Sequence, residues 1–103
     1  MDYKDVCAGE ENVWFRLSNS KKEGKFFLKW AKDLGCMWIN GKEIDPQNDT
    51  YFFTLSISSD GKLSNVPAIA LVSRQFESVK RVDFITYYKS FKKKLKTSNC
   101  EIS

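Results

Sequence analysis

Histidine is absent from this sequence of 103 residues, and glycine, proline and long apolar runs are scarce. Without histidine the chain has no Ser-His or Cys-His catalytic pair, no imidazole metal ligand and no imidazole switch near neutral pH. No apolar stretch reaches the roughly 20 residues of a membrane-spanning helix. The first residues, MDYKDVCAGEE, are too charged for a signal peptide. We therefore expect a cytoplasmic protein with no membrane partner.

Catalytic and metal-binding motifs are missing as well. The three cysteines, Cys7, Cys36 and Cys100, form no C-x-x-C pair, so we expect no metal site and no cofactor. An odd number of cysteines is typical of proteins in a reducing compartment. We expect Cys36 to be a small apolar residue of the core. The phosphate-loop, dinucleotide, nucleophile-elbow and zinc-protease patterns are all absent. We expect no catalytic residues and no enzymatic activity.

What remains is the composition of a globular chain, with 42% hydrophobic and 15% aromatic residues. This length suits a single domain, which we place at 1–103. The N-terminal segment 1–11 mixes charged and small residues without a period, so it is predicted to be a flexible leader. Residues 97–103 are predicted to be a frayed tail.

The first half of the chain predicts a strand and then a helix. Val13, Phe15 and Leu17 alternate along the first strand. Ser18 to Ser20 supply candidate N-caps, and Glu23 follows Ser20 at the spacing of a capping box. The helix that follows turns one apolar side to the core, formed by Phe27, Trp30, Ala31 and Leu34. Gly24 weakens this helix by about 1 kcal/mol relative to alanine, and Gly35 ends it.

The middle of the chain predicts several short strands. Residues 36–39 form one, and Asn40-Gly41 predicts a hairpin with residues 42–44 as its return arm. Residues 51–58 alternate, which points Tyr51, Phe53, Leu55 and Ile57 inward and Thr54, Ser56 and Ser58 outward. Residues 66–72 predict a strand that is apolar on both faces. Residues 78–82 predict an edge strand.

A second helix is predicted from Phe84, with Asp83 as its N-cap. Its apolar side is formed by Phe84, Tyr88, Phe91 and Leu95. The element order β-α-β-β-β-α predicts an α+β fold, a small antiparallel sheet with two amphipathic helices packed on it.

Residues 27–41 carry the pattern Gly35-x-x-Trp38-x-x-Gly41 directly after the first helix. With the strand before it and the aromatic strand after it, residues 13–57 resemble small proteins of Gram-positive phages and prophages. This resemblance implies a mobile-element origin, in an infected or lysogenic bacterial host. It also implies a protein that binds and inhibits host defence machinery, as anti-CRISPR proteins do. It carries over no catalytic residue.

The net charge of +4 arises in the last fifteen residues, because residues 1–88 carry twelve basic and twelve acidic side chains. Both helices have a lysine side opposite the apolar side. On the second helix it consists of Lys89, Lys92, Lys93 and Lys96, and on the first it includes Lys25, Lys29 and Lys32 with Lys21 and Lys22. These lysines are candidate partner-binding residues. A solvated outer face and compensation of the helix dipole would explain them equally well.

Three aromatic residues, Trp14, Phe26 and Phe52, point away from the predicted core faces. They either anchor an interface or cover a helix or a dimer seam. Our leading hypothesis is a non-enzymatic phage-type accessory protein that binds and blocks a host protein. The alternatives are a nucleic-acid-binding module that uses the lysine sides and a sponge for a nucleotide signal. The sequence does not decide whether the chain forms a homodimer.

Overall fold

The computed structural model describes residues 2–18 and 20–92, which form a five-stranded mixed sheet with four helices. The helices are α1 (Tyr3–Cys7), α2 (Ser20–Asp33), α3 (Ala68–Leu71) and α4, which begins at residue 84 and is described as far as residue 92. The strands are β1 (Asn12–Arg16), β2 (Met37–Trp38), β3 (Thr54–Ser58), β4 (Lys62–Asn65) and β5 (Lys80–Asp83). The predicted α+β class is confirmed.

The strands lie in the order β2-β4-β3-β1-β5, so β5 is an edge strand, as predicted. β3 pairs antiparallel with β1 and with β4, whereas β1 pairs parallel with β5 and β2 parallel with β4. The sheet is therefore mixed and not purely antiparallel. The parallel pairs arise because two crossovers each bring a strand back in the same direction. The chain passes from β1 through α2 to β2 and from β4 through residues 66–79 to β5, and β1 and β4 themselves run the same way.

The core lies between one face of the sheet and the helices α1, α2 and α4. The register pairs Phe15 on β1 with Leu55 on β3, and both side chains are fully buried. From the helices, the ring of Phe27 lies 5.3 Å from that of Phe15, and the ring of Phe84 lies 4.8 Å from that of Phe27. The predicted period of two on β1 and the predicted apolar side of α2 are both confirmed.

α4 begins at the predicted cap. Asp83 Oδ2 accepts hydrogen bonds from the backbone N–H of Thr86 at 3.2 Å and from its Oγ1 at 2.9 Å. These bonds hold the pKa of the Asp83 carboxyl below its ordinary value, with smaller contributions from Ser18 and from the charge of Arg16. A cap satisfies a free N–H group of the first turn and stabilises the helix, so Asp83 favours the start of α4 directly after β5.

The second face of the sheet is covered by residues 66–79. Trp14 points to this side, where its ring lies 5.5 Å from that of Phe76. The Arg81 guanidinium lies 4.9 Å from the Trp14 ring and donates hydrogen bonds to the carbonyl oxygens of Leu71 at 2.7 Å and Phe76 at 3.2 Å. Thr54 and Ser56 were expected to face outward to solvent, but both are buried. Thr54 is covered because this segment lies over it.

The prediction of a flexible leader over 1–11 was wrong. α1 is capped by Asp2, whose Oδ1 accepts a hydrogen bond from the Lys4 N–H at 2.8 Å. Val6 and Cys7 are buried in the core. Two buried residues among charged ones leave no periodic signal, so this helix could not be recognised from its pattern.

Three predictions in the middle of the chain were also wrong in part. Residues 66–72 are no strand, because Pro67 begins the short helix α3. The strand predicted from residue 51 begins only at residue 54, and Phe53 is 64% exposed. A turn does follow β2, where the Gly41 N–H donates to the Trp38 carbonyl at 2.8 Å, but residues 42–44 return as irregular chain and not as a strand.

The predicted capping box of α2 is only partly observed. α2 begins at Ser20 itself, and Glu23 Oε1 accepts a hydrogen bond from the Ser18 N–H at 3.2 Å. Asn19, Leu95 and the predicted frayed tail at 97–103 lie outside the described residues.

Candidate interaction surfaces

The lysines singled out from the sequence lie on the outside of the two long helices. Lys25, Lys29 and Lys32 are exposed on α2, and Lys89 and Lys92 are exposed on α4. Lys93 and Lys96 lie outside the described residues. The lysine sides predicted from the helical wheel are therefore solvent-facing over the described part of both helices.

The two helices lie side by side along an aromatic seam. The ring of Tyr88 on α4 lies 4.9 Å from that of Phe26 and 6.2 Å from that of Trp30, both on α2. The ring of Phe91 lies 6.3 Å from that of Trp30. Phe26 therefore covers a helix, which was one of the two roles expected for it. This contact also brings Lys22 of α2 close to Lys89 and Lys92 of α4.

A groove of about 530 Å³ runs along this seam. Phe26, Ile85 and Tyr88 line it, together with Lys22, Lys89, Lys92 and Glu23. We call it the helix groove. The helix groove contains lysines from both α2 and α4. The lysine from α2 is Lys22, and not Lys25, Lys29 or Lys32, which the sequence analysis favoured.

The remaining lysines of α2 turn towards other neighbours. Lys25 lines a separate concavity with Lys21 and Tyr51. Lys32 lies near Asp45, whose pKa is lowered mainly by hydrogen bonds from Asn48 and Gln47 and to a smaller extent by the charge of Lys32. The nine lysines of the sequence-based hypothesis therefore do not all converge on one site.

A second surface is apolar, and the sequence analysis singled out only Phe52 of it. Phe52 and Phe53 before β3 line one cavity with Leu71 of α3, and the exposed residues Ile69 and Val72 lie in and directly after the same helix. We call these five residues the apolar surface. Ile69 is 78% exposed and Val72 is 83% exposed. The sequence analysis placed Phe53 in the core and residues 66–72 in a strand, so it did not find the four residues other than Phe52.

The backbone beneath the apolar surface is fixed to the sheet. The Phe52 N–H donates to Asn65 Oδ1 at 2.7 Å, and the Phe53 carbonyl accepts from the Leu17 N–H at 2.7 Å. A cavity of about 440 Å³ between Phe52, Phe53 and Leu71 gives this surface a concave centre. The rings are thus presented on a rigid support.

Two arginines lie at the margin of the apolar surface. Phe53 and Leu71 also line a cavity of about 580 Å³ with Arg16, Arg81 and Trp14. Arg81 is held by Trp14 and two carbonyl groups, as described above, whereas Asp83 lies beside Arg16. The combination of aromatic rings and arginines is the composition enriched at the centres of protein interfaces.

The titratable groups of the described residues offer little reactive chemistry. Burial raises the pKa of the Cys36 thiol to about 12, with smaller contributions from Cys7 and Asp2, and burial also raises the pKa of the Cys7 thiol. Both thiols are therefore protonated and unreactive at neutral pH. Within residues 2–18 and 20–92, no group of three or more acidic or cysteine side chains is placed to hold a metal ion. None of the helices in this part of the chain has the length and apolar character needed to cross a membrane.

Comparison of the chain with protein-family models, with curated proteins and with solved structures finds no match.

Proposed function

We propose that this chain is a non-enzymatic accessory protein of the phage or prophage kind, which binds a host protein through the apolar surface and blocks it. The observation that carries the proposal is the exposure of Phe52 and Phe53 beside a cavity that Leu71 also lines, on backbone that is hydrogen-bonded to the sheet, with Ile69 and Val72 exposed in and after α3. Isolated exposed apolar residues are ordinary, but exposed rings around a concavity are typical of protein-binding sites.

The two arginines at the margin of the apolar surface indicate which kind of partner would bind there. Arg16 and Arg81 beside Phe53 favour a partner that presents apolar side chains surrounded by carboxylates. Burying Phe53 and Val72 would contribute about 2 kcal/mol each if both were fully covered. The resemblance of residues 13–57 to phage proteins supports the proposed origin, and it makes host defence machinery the target class to examine.

Capture from a bacterial host lysate tests the proposal when it is combined with surface variants. The immobilised chain is incubated with nuclease-treated lysate, next to the variant Phe52→Ser/Phe53→Ser. Ile39→Ser is the matched control, because Ile39 is 69% exposed but lines neither the apolar surface nor its margin. We expect a protein that the unchanged chain and the control retain and that the double variant loses.

The blocking role is tested with the captured protein once it has been purified. Its activity should fall in proportion to the amount of chain added and reach its minimum at a fixed molar ratio. Retention of no protein by the unchanged chain, or retention of the same protein by the double variant, would contradict the proposal.

A further inference from the structure

The helix groove has an aromatic floor that is open to solvent. Phe26 remains 42% exposed although its ring contacts Tyr88 and Phe84. The rings of Phe26 and Tyr88 are nearly perpendicular, with an interplanar angle of 88°, and this edge-to-face contact holds the exposed ring in place. A fixed, accessible ring is the kind of platform on which a planar group stacks.

Lysines flank this floor from both sides. Lys22 approaches from α2, and Lys89 and Lys92 approach from α4. Residues three apart on a helix are neighbours, so the two lysines of α4 offer adjacent ammonium groups. Glu23 also lines the groove, but its Oε1 accepts the hydrogen bond from the Ser18 N–H described above. In the sequence, the basic character continues directly after Lys92 with Lys93, Lys94 and Lys96.

We infer that the helix groove binds single-stranded nucleic acid, with a base stacked on Phe26 and neighbouring phosphates bound by Lys22, Lys89 and Lys92. A positively charged groove with interleaved rings is the arrangement by which proteins bind single strands without reading sequence. A duplex is disfavoured, because its bases are stacked on one another and hide the faces that Phe26 would contact. An acidic protein segment is the competing occupant, and it would use the ammonium groups but would not stack a planar base on Phe26. This site is independent of the apolar surface.

The salt dependence of binding gives a quantitative test. Fluorescence anisotropy of a labelled oligothymidylate of about ten nucleotides would be measured between about 50 and 200 mM salt. Three phosphate contacts to a single strand predict a slope of about −2 in a plot of log affinity against log salt concentration, which is a loss of about 20-fold over this range. The variant Lys89→Gln/Lys92→Gln should reduce the slope to about −0.7. Lys4→Gln/Lys42→Gln removes the same charge at exposed positions outside the groove and should leave the slope unchanged.

The aromatic contact is tested with two variants of Phe26. Phe26→Leu should weaken binding at least about fivefold, since one stacked base contributes at least about that factor. Phe26→Tyr keeps a ring and should bind like the unchanged chain. Thermal melting of each variant shows whether α2 and α4 still pack, so a loss of binding with an unchanged melting curve reports the contact itself.

Four results would overturn the inference: no oligonucleotide binding at the lowest salt concentration, equal binding of duplex and single strand, unchanged binding by Phe26→Leu, or equal losses from the two lysine double variants. Polyglutamate of matched length tests whether the helix groove binds an acidic protein segment as well as it binds nucleic acid. If it binds as tightly as the oligonucleotide, the helix groove is a general anion surface and the assignment to nucleic acid is wrong.

Discussion

Gly24 lies within the long helix α2, and a single contact explains why this position holds glycine. It is buried in α2, and a Cβ atom built on it would overlap Cε2 and Cζ of the Tyr51 ring. The Tyr51 hydroxyl donates a hydrogen bond to the Lys21 carbonyl at 3.1 Å. Tyr51 thus lies across the first turns of α2, and only glycine leaves room for its ring.

Gly24→Ala therefore has two opposing effects on the free energy of unfolding. Alanine gains about 1 kcal/mol of helix propensity. The Tyr51 ring must move by more than 1 Å, which breaks its hydrogen bond at a cost of about 1 kcal/mol. It also re-exposes about 50 Å² of ring surface at a cost of about another 1 kcal/mol. We expect the variant to be less stable than the unchanged chain by about 1 kcal/mol.

A double-mutant cycle isolates the contact. With Tyr51→Ala the obstruction is gone, so Gly24→Ala should now raise the stability by about 1 kcal/mol, which corresponds to a coupling energy of about 2 kcal/mol. Urea unfolding followed by tryptophan fluorescence measures all four stabilities. A stabilising effect of Gly24→Ala in the unchanged chain, or a coupling near zero, would refute the reasoning.

The remaining predictions concern the cap of α4 and the buried thiols. Asp83→Ala should lower the free energy of unfolding by about 1 kcal/mol because the Thr86 N–H loses its acceptor. The pKa of Asp83 is lowered in the folded state. The stabilisation by its charge is therefore present above the unfolded-state pKa of about 3.9 and is lost as the pH falls below that value. In acid unfolding curves, the difference in stability between Asp83→Ala and the unchanged chain should vanish. Cys7 and Cys36 should resist a thiol reagent at pH values near 8 until urea unfolds the chain, because burial raises both pKa values. Labelling of either in the folded chain, detected by mass spectrometry of its peptides, would show that α1 is not packed against the core.

The parts of the fold that could be predicted are those with a local signal. The alternation in β1, the apolar side of α2 and the carboxylate before α4 each depend on a few neighbouring residues, and each was found. Phe53 shows the limit of such reasoning. It continues the alternation of Leu55 and Ile57, but β3 begins at Thr54, so its ring lies beyond the sheet and is exposed.

The parts that could not be predicted depend on long-range packing. Thr54 has the sequence signature of an outward residue, and only the crossing of residues 66–79 over the second face buries it. The helix groove needs α2 and α4 to be adjacent, which their separate helical wheels do not specify. Most of the apolar surface was missed for the same reason, because it combines Phe53 with a helix that begins fifteen positions later along the chain.

Photo-crosslinking in host cells tests most directly whether the apolar surface binds a protein. A photoreactive phenylalanine analogue replaces Phe53 in one variant and Ile39 in the other, and cells that make each variant are irradiated. Our account predicts one dominant protein adduct at position 53 that survives nuclease treatment and is absent at position 39. No adduct at position 53, or the same adducts at both positions, would contradict it.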